Sequence, residues 1–377
     1  MRTPVTDLLG IEFPILAFSH CRDVVAAVTN AGGMGVLGGV AHTPEQLDID
    51  LTWIEEQTKG RPYGVDLLLP QKYAGSDEGG LDRDRLSALL PPEQQAFVDE
   101  LLVRYGVPPL SDDDETRRAR RASMQVDPRG YEPLLDVAFA HRIGLFASAL
   151  GAPPAPVVDR CKAVGVPVAA LAGAPAHASR HKAAGVDLIV AQGTEAGGHT
   201  GEIATMVLVP EVVDAVAPTP VLAAGGIARG RQVAAALALG ASGVWCGSVW
   251  LTTEEAETHP VVKQKFLGAS SADTVRSRSL TGKPARMLRT AWTDEWADPS
   301  HPDPLPMPLQ SMLVGEAQQR IGRAAGRPGS GAEQLATYFV GQVVGQMDRV
   351  RPTRLVVLDM VEEFIEAVQR LDGLLEG

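Results

Sequence analysis

The stretch PVLAAGGIARGRQVAAALALGASGVWCGS, residues 220–248, holds a strand, a glycine turn, a helix and a second strand in succession. PVLAAGG is short and β-rich, RQVAAALAL carries the apolar spacing of a helix, and GVWCGS is β-rich again. That order predicts two parallel strands joined by a helical crossover. The same rhythm extends toward the N-terminus. Candidate strands are FPILAF (13–18), MGVLGG (34–39), PYGVDLLL (62–69), IGLFASA (143–149), VPVAALA (166–172) and VDLIVAQ (186–192). Between them lie helical patterns such as DVVAAVTNA (23–31), PEQLDIDLTWIEEQ (44–57) and PVVDRCKAV (156–164). Eight strands, each followed by a crossover, predict an α/β fold of the closed (β/α)8 TIM-barrel type. An open doubly wound sheet is the competitor. It usually carries GxGxxG after its first strand, and FPILAFSHC has no such motif.

Composition narrows the function classes. With 377 residues, 45% hydrophobic and 21% charged, the chain has the make-up of a globular protein. A net charge of -12 argues against nucleic-acid binding, which needs a basic stripe, and against docking on anionic membranes. Cys21, Cys161 and Cys246 are scattered, odd in number and free of any CxxC pairing, so neither a disulfide framework nor a metal site is expected. The start, MRTPVTDLLGIEF, lacks a basic region and apolar core, and no apolar run has bilayer length. The chain therefore reads as cytoplasmic.

Two segments break the alternation. Residues 71–130 contain SDEGGLDRDRLSALL, PPEQQAFVDELLVRYG and SDDDETRRARRAS, read as a helical insertion after the third strand. Loops at the C-terminal ends of barrel strands build the active site, so this insertion is expected near the mouth. Its charge clusters offer little continuous apolar face, which makes it dispensable for the barrel on this reading; a plain solvated decoration is the alternative. Residues 256–350, with RSRSLTGKPARMLRTAW and ATYFVGQVVGQM, read as a capping and substrate segment. The barrel then comprises 1–70 and 131–255, with the helical pattern of 351–377 returning to close it.

The chemistry is concentrated in glycine. AAGGIARGRQ (223–232) and CGSVW (246–250) each follow a β-run, on what would be the last two strands. Backbone N–H groups at such turns favour a phosphate, with Gly225, Gly226 and Gly247 letting the chain approach and Ser248 donating its hydroxyl. Tight βα turns that need glycine for their own geometry are the alternative. AQGTEAGGHTGE (191–202) adds four glycines, Gln192, Glu195 and His199 at the end of VDLIV. Histidine titrates near neutrality and suits a general base, or it is a loop histidine bonded to backbone. Glu195 either faces the site or caps the next segment.

AQGTEAGGHTGE followed by AAGGIARGRQVAAALALGASGVWCGS resembles the nitronate monooxygenase family, also called 2-nitropropane dioxygenases. AGGMGVLGG (31–39), PYGVDLLLP (62–70), TGKPARML (281–288) and YFVGQ (338–342) fall in the same order as in that family. The resemblance spans most of the chain outside 71–130. It implies an FMN-dependent TIM barrel that oxidises alkyl nitronates, and nitroalkanes, by O2 to a carbonyl compound and nitrite. Related members are NADH:quinone reductases and flavin-dependent enoyl-acyl-carrier-protein reductases, so an NAD(P)H-dependent flavin reductase of quinones or enoyl thioesters is the alternative. A barrel that keeps FMN merely as a carrier is a third reading. Carried over by position, Gln192 contacts the flavin ring, Gly197 and Gly198 let the loop pass it, and Gly225, Gly226, Gly247 and Ser248 hold the phosphate. His199 is then the catalytic base.

The chain departs from the family pattern at two places. The APM element of the first strand is replaced by Phe18, Ser19 and His20, so His20 is a candidate substrate-binding or second acid/base group, or a buried structural histidine. GVN on the third strand becomes GVD, so Asp66 stands where an amide contacts flavin. An ionised carboxylate accepts but cannot donate, so either Asp66 is protonated or its partner differs. Tyr338 and Gln342 fall on one face if YFVGQ is helical, with Gln342 a candidate substrate contact and Tyr338 a packing residue.

Overall fold

The computed structural model describes residues 1–69, 83–110, 128–327 and 329–375. Its centre is a closed barrel of parallel strands: β1 (Ile15–Ser19), β2 (Met34–Gly38), β3 (Gly64–Leu68), β4 (Leu145–Ala149), β5 (Val168–Ala172), β6 (Leu188–Gln192), β8 (Val221–Ala224) and β9 (Gly243–Cys246). Closure is made by β9 on β1, with Leu16 opposite both Met34 and Trp245. All eight stretches read as strands from the sequence take part.

Strand alternation sorts the side chains into two layers. Val65, Leu67, Ile189, Ala191 and Val244 point outward into the core shared with the helices. Leu16, Met34, Val36, Leu145, Ala147, Leu188, Val190 and Leu222 fill the barrel interior. The first helix, Pro4–Leu9, adds Val5 and Leu9 to that inner cluster and plugs one end. Its N-terminus is fixed by a reciprocal Thr3–Thr6 capping box.

The other end is covered by two excursions. The chain leaves the barrel at Thr253, which bridges Arg351, and Glu254 N–H donates to the Arg351 carbonyl at 3.0 Å. The helix Thr353–Asp372 then packs on Gly230–Ala238 and Arg22–Asn30, the position of the last crossover helix. Gly230 lets these helices approach, because a Cβ there would lie 2.1 Å from the Met360 carbonyl. Within the excursion, β10 (Thr274–Ser277) and β11 (Ala285–Leu288) form an antiparallel hairpin that also pairs with the short β7 (Gly198–His199).

The insertion differs from its sequence reading. Its helix Pro92–Arg104 has a real apolar face, burying Phe97, Val98, Leu101 and Leu102. Phe97 meets Trp296 edge-on at 4.9 Å, and Arg104 pairs with Glu295 at 2.8 Å. Arg320 donates to the carbonyls of Val107 and Pro108 at 3.0 and 2.9 Å. The apolar residues of this helix come in adjacent pairs among charges, which hides the face from a simple periodicity count. The charge cluster of 111–123 lies outside the described residues.

Candidate active site

A large cavity opens where the C-terminal ends of the barrel strands meet the excursion. It is lined by Phe18, His20, Asp66, Gln192, Gly225, Gly226, Trp245, Gly247 and Ser248 from the barrel side. Met307, Met312, Gln318, Tyr338 and Phe339 face them from the excursion, and Leu86 and Leu90 from the insertion.

The loop after β6 is clamped along its length. Buried Arg286 on β11 donates through Nε to the Thr194 carbonyl at 2.8 Å, and Arg276 on β10 donates to the Thr200 carbonyl at 3.3 Å. Gln342 N–H reaches the Glu195 carbonyl at 2.9 Å. Glu195 turns out to be a cap. Its carboxylate accepts from Thr205 N–H at 3.0 Å and from Thr205 Oγ1 at 2.9 Å, at the start of the helix Thr205–Val216. Thr205 Oγ1 also lies 3.1 Å from the Gly225 carbonyl, which ties the loops after β6 and β8 together.

The hairpin fixes His199. Ala285 stands opposite it in the sheet, and Nδ1 lies 3.3 Å from the Pro284 carbonyl. A carbonyl can only accept, so Nδ1 carries the proton and Nε2 keeps a lone pair. Burial lowers its pKa from the ordinary 6.5; the Pro284 bond opposes this, and the nearby Lys283 charge adds to it. His20 is arranged likewise, with Nδ1 2.9 Å from the Gly38 carbonyl. The residue is exposed to the cavity, and its pKa is lowered from 6.5 by desolvation among the cavity walls, opposed by the Gly38 bond, with a smaller push from His42. Phe18 meets that ring edge-on at 5.1 Å and stacks toward Trp245 at 6.2 Å.

The glycines divide by role. Gly197 is required by packing, since a Cβ there would sit 2.8 Å from Gly341 N, whereas Gly198 at φ +76 faces open space. Gly225 and Gly226 both have positive φ, +97 and +72, which favours glycine. Gly247 has nothing within 4 Å of a would-be Cβ. Among the described residues, the N–H groups of Gly225, Gly226 and Gly247 make no hydrogen bond. The helix N-terminus beyond them is already occupied. Gln232 Oε1 accepts from Ala228 and Arg229 N–H at 2.8 and 3.0 Å, and Glu363 accepts from Gly230 N–H at 2.9 Å. An anion would therefore meet the two loops and not the helix end. Ser248 Oγ accepts from Gly341 N–H at 2.7 Å, which leaves its own proton to donate.

YFVGQ is not a helix: Phe339 bridges Met287, and a 3-10 turn starts at Gln342. Tyr338 and Phe339 line the cavity, while Gln342 is not among its lining residues and braces the loop through its main chain. The extended backbone breaks the helical phase on which the sequence reading placed Tyr338 and Gln342 together. Sequence reasoning also passed over Trp245 and Lys283. The alternation of GVWC points Trp245 inward, but nothing local marks Lys283.

The closed parallel barrel, with its glycine loops and His199 gathered at the C-terminal ends of the strands, has the layout of a TIM-barrel enzyme. The family model described as nitronate monooxygenase matches residues 2–363, and the chain belongs to that family of flavoenzymes. A Mycobacterium tuberculosis protein provisionally named monooxygenase Rv1533 is 69% identical, covering 100% of both chains. Another from the same organism, (3aS,4S,5R,7aS)-5-hydroxy-7a-methyl-1-oxo-octahydro-1H-indene-4-carboxyl-CoA dehydrogenase, is 33% identical over 77% of this chain and 67% of its own. Among solved structures, the nitroalkane oxidase of Streptomyces ansochromogenes superposes with a TM-score of 0.80 at 27% identity, covering 97% of this chain and 99% of its own. No helix among the described residues is long and apolar enough to cross a membrane.

Proposed function

We propose that the protein binds FMN and oxidises alkyl nitronates with O2 to a carbonyl compound and nitrite, and that His199 extends this to neutral nitroalkanes. The observation that carries the reading is the His199 ring, with its Nδ1 proton committed to Pro284 and its pKa lowered by burial. Such a ring is neutral at pH 7 and offers Nε2 to the α-proton of a nitroalkane; the C–H electron pair then moves onto the nitro group. Bound FMN would supply the electron acceptor that O2 reoxidises.

The cradle fits that cofactor. The three unbonded N–H groups of Gly225, Gly226 and Gly247, with the Ser248 hydroxyl, would hold its terminal phosphate. A Cβ at Gly247 would fill the space a phosphate needs. Gln192 and Asp66 would hold the ring, with Gly197 and Gly198 in the loop beside it, and His20 is the proposed substrate contact. The partners are then a small molecule and O2.

The experiment compares wild type with His199→Asn on a neutral nitroalkane and on its preformed nitronate. Nitroalkane turnover should fall by about a hundredfold to ten-thousandfold, with nitronate turnover largely kept. Equal losses on both would make His199 an orienting group. A second reading, an NAD(P)H-dependent reductase acting on a thioester, is favoured by the similarity to the CoA-ester dehydrogenase. Anaerobic mixing separates the two. Bleaching of the flavin by NADH or NADPH, but not by propionate-3-nitronate, would leave the monooxygenase reading falsified.

A further inference from the structure

The inner face of the barrel strands carries two polar side chains among the described residues, Asp66 on β3 and Gln192 on β6. Asp66 is only 4% exposed, yet it lines the cavity. Its carboxyl makes no hydrogen bond and no ion pair with any described residue. The residues opposite it in the sheet are Gly38 on β2 and Ala147 on β4, which bring neither a donor nor a charge. An ionised carboxylate there would keep only the little water that reaches it from the cavity, with no described residue to replace the rest. Burial pushes its pKa well above the ordinary carboxylate range, with no cation among the described residues pulling it back.

We propose that Asp66 is a neutral carboxylic acid that donates a hydrogen bond into the barrel cavity, to an acceptor atom of a flat, uncharged heteroaromatic ring. A neutral acid presents one donor and one acceptor, as a carboxamide does, whereas a carboxylate only accepts. Gln192 presents both as well, and its side chain is also unpartnered among the described residues. The side chains of Phe18 and Trp245 border the same space, so the ligand meets apolar rings with polar readers on β3 and β6. The inference rests on the flavin reading above and adds the charge state and direction of one of its contacts.

The test uses the full chain labelled with carboxyl-13C aspartate at neutral pH, with and without FMN. The signal that disappears in Asp66→Asn should lie at the carboxylic-acid position in both samples. Asp66→Asn should bind FMN within about threefold of wild type, and Asp66→Leu about tenfold or more weakly, the value of one lost hydrogen bond. A carboxylate signal, or a loss in Asp66→Asn as large as in Asp66→Leu, would overturn the proposal. If no form binds FMN, the flavin reading itself fails and the ring contact with it. The two failures are distinguishable, because the carboxyl signal is read without flavin.

Discussion

Gly197 and Gly247 belong to the same glycine-rich signature but are glycine for opposite reasons. A side chain at Gly197 would strike the Val340–Gly341 backbone, whereas one at Gly247 would meet nothing within 4 Å and enter the cavity. Gly247→Ala at φ -119 should therefore leave thermal stability unchanged to within about 0.5 kcal/mol. It should weaken FMN binding by about tenfold, read by flavin titration. Unchanged FMN affinity would place the phosphate elsewhere. The second residue-scale expectation concerns Lys283, whose charge lowers the His199 pKa. In wild type, kcat/KM for a neutral nitroalkane should rise with pH through a midpoint below the ordinary histidine value of 6.5. Lys283→Met removes the positive charge, so the acidic limb should move to higher pH. A limb that stays in place would show that it reports another group.

At the scale of elements, the insertion and the excursion hold each other. Phe97 on the helix Pro92–Arg104 packs between Trp296 at 4.9 Å and His301 at 4.7 Å, and it is 6% exposed. Phe97→Ala should destabilise the protein by about 3 kcal/mol, measured by denaturant unfolding. A loss below about 1 kcal/mol would mean that this helix is only draped on the surface. Its apolar residues at 97, 98, 101 and 102 were present in the sequence, but what they pack on lies some 200 positions away. The same distance hid the clamp on the glycine loop, since Arg276 and Arg286 become partners of Thr200 and Thr194 only once β11 pairs with β7.

Across the whole molecule, burial sets the pH response. His20, His181 and His199 all have pKa values lowered by desolvation, so each is held neutral in the fold and charges more readily once unfolded. Their stabilising contribution is complete above the unfolded value near 6.5 and is lost as pH falls through it toward the lower folded values. The Tm should fall between about pH 7 and about pH 5, and less so in His181→Gln. Deleting 71–130 would uncover the partners of Phe97, Tyr105 and Arg104, so the Tm of the shortened protein should fall.

The sequence by itself determined the barrel and the position of the cavity. A strand buried on both faces leaves a short apolar run, a crossover leaves a periodic one, and the glycine turns between them mark the strand ends where a site forms. These are local signals, complete within a dozen residues. Tertiary structure alone decided what each site residue does. Glu195 became a helix cap because Thr205 folds back onto it, and Glu363 filled the helix end beside the cradle from across the chain. Asp66 has no partner among the described residues, because the strands beside it place Gly38 and Ala147 opposite it. A partner, a charge state and a direction are properties of the space around a side chain, and that space is assembled from distant segments.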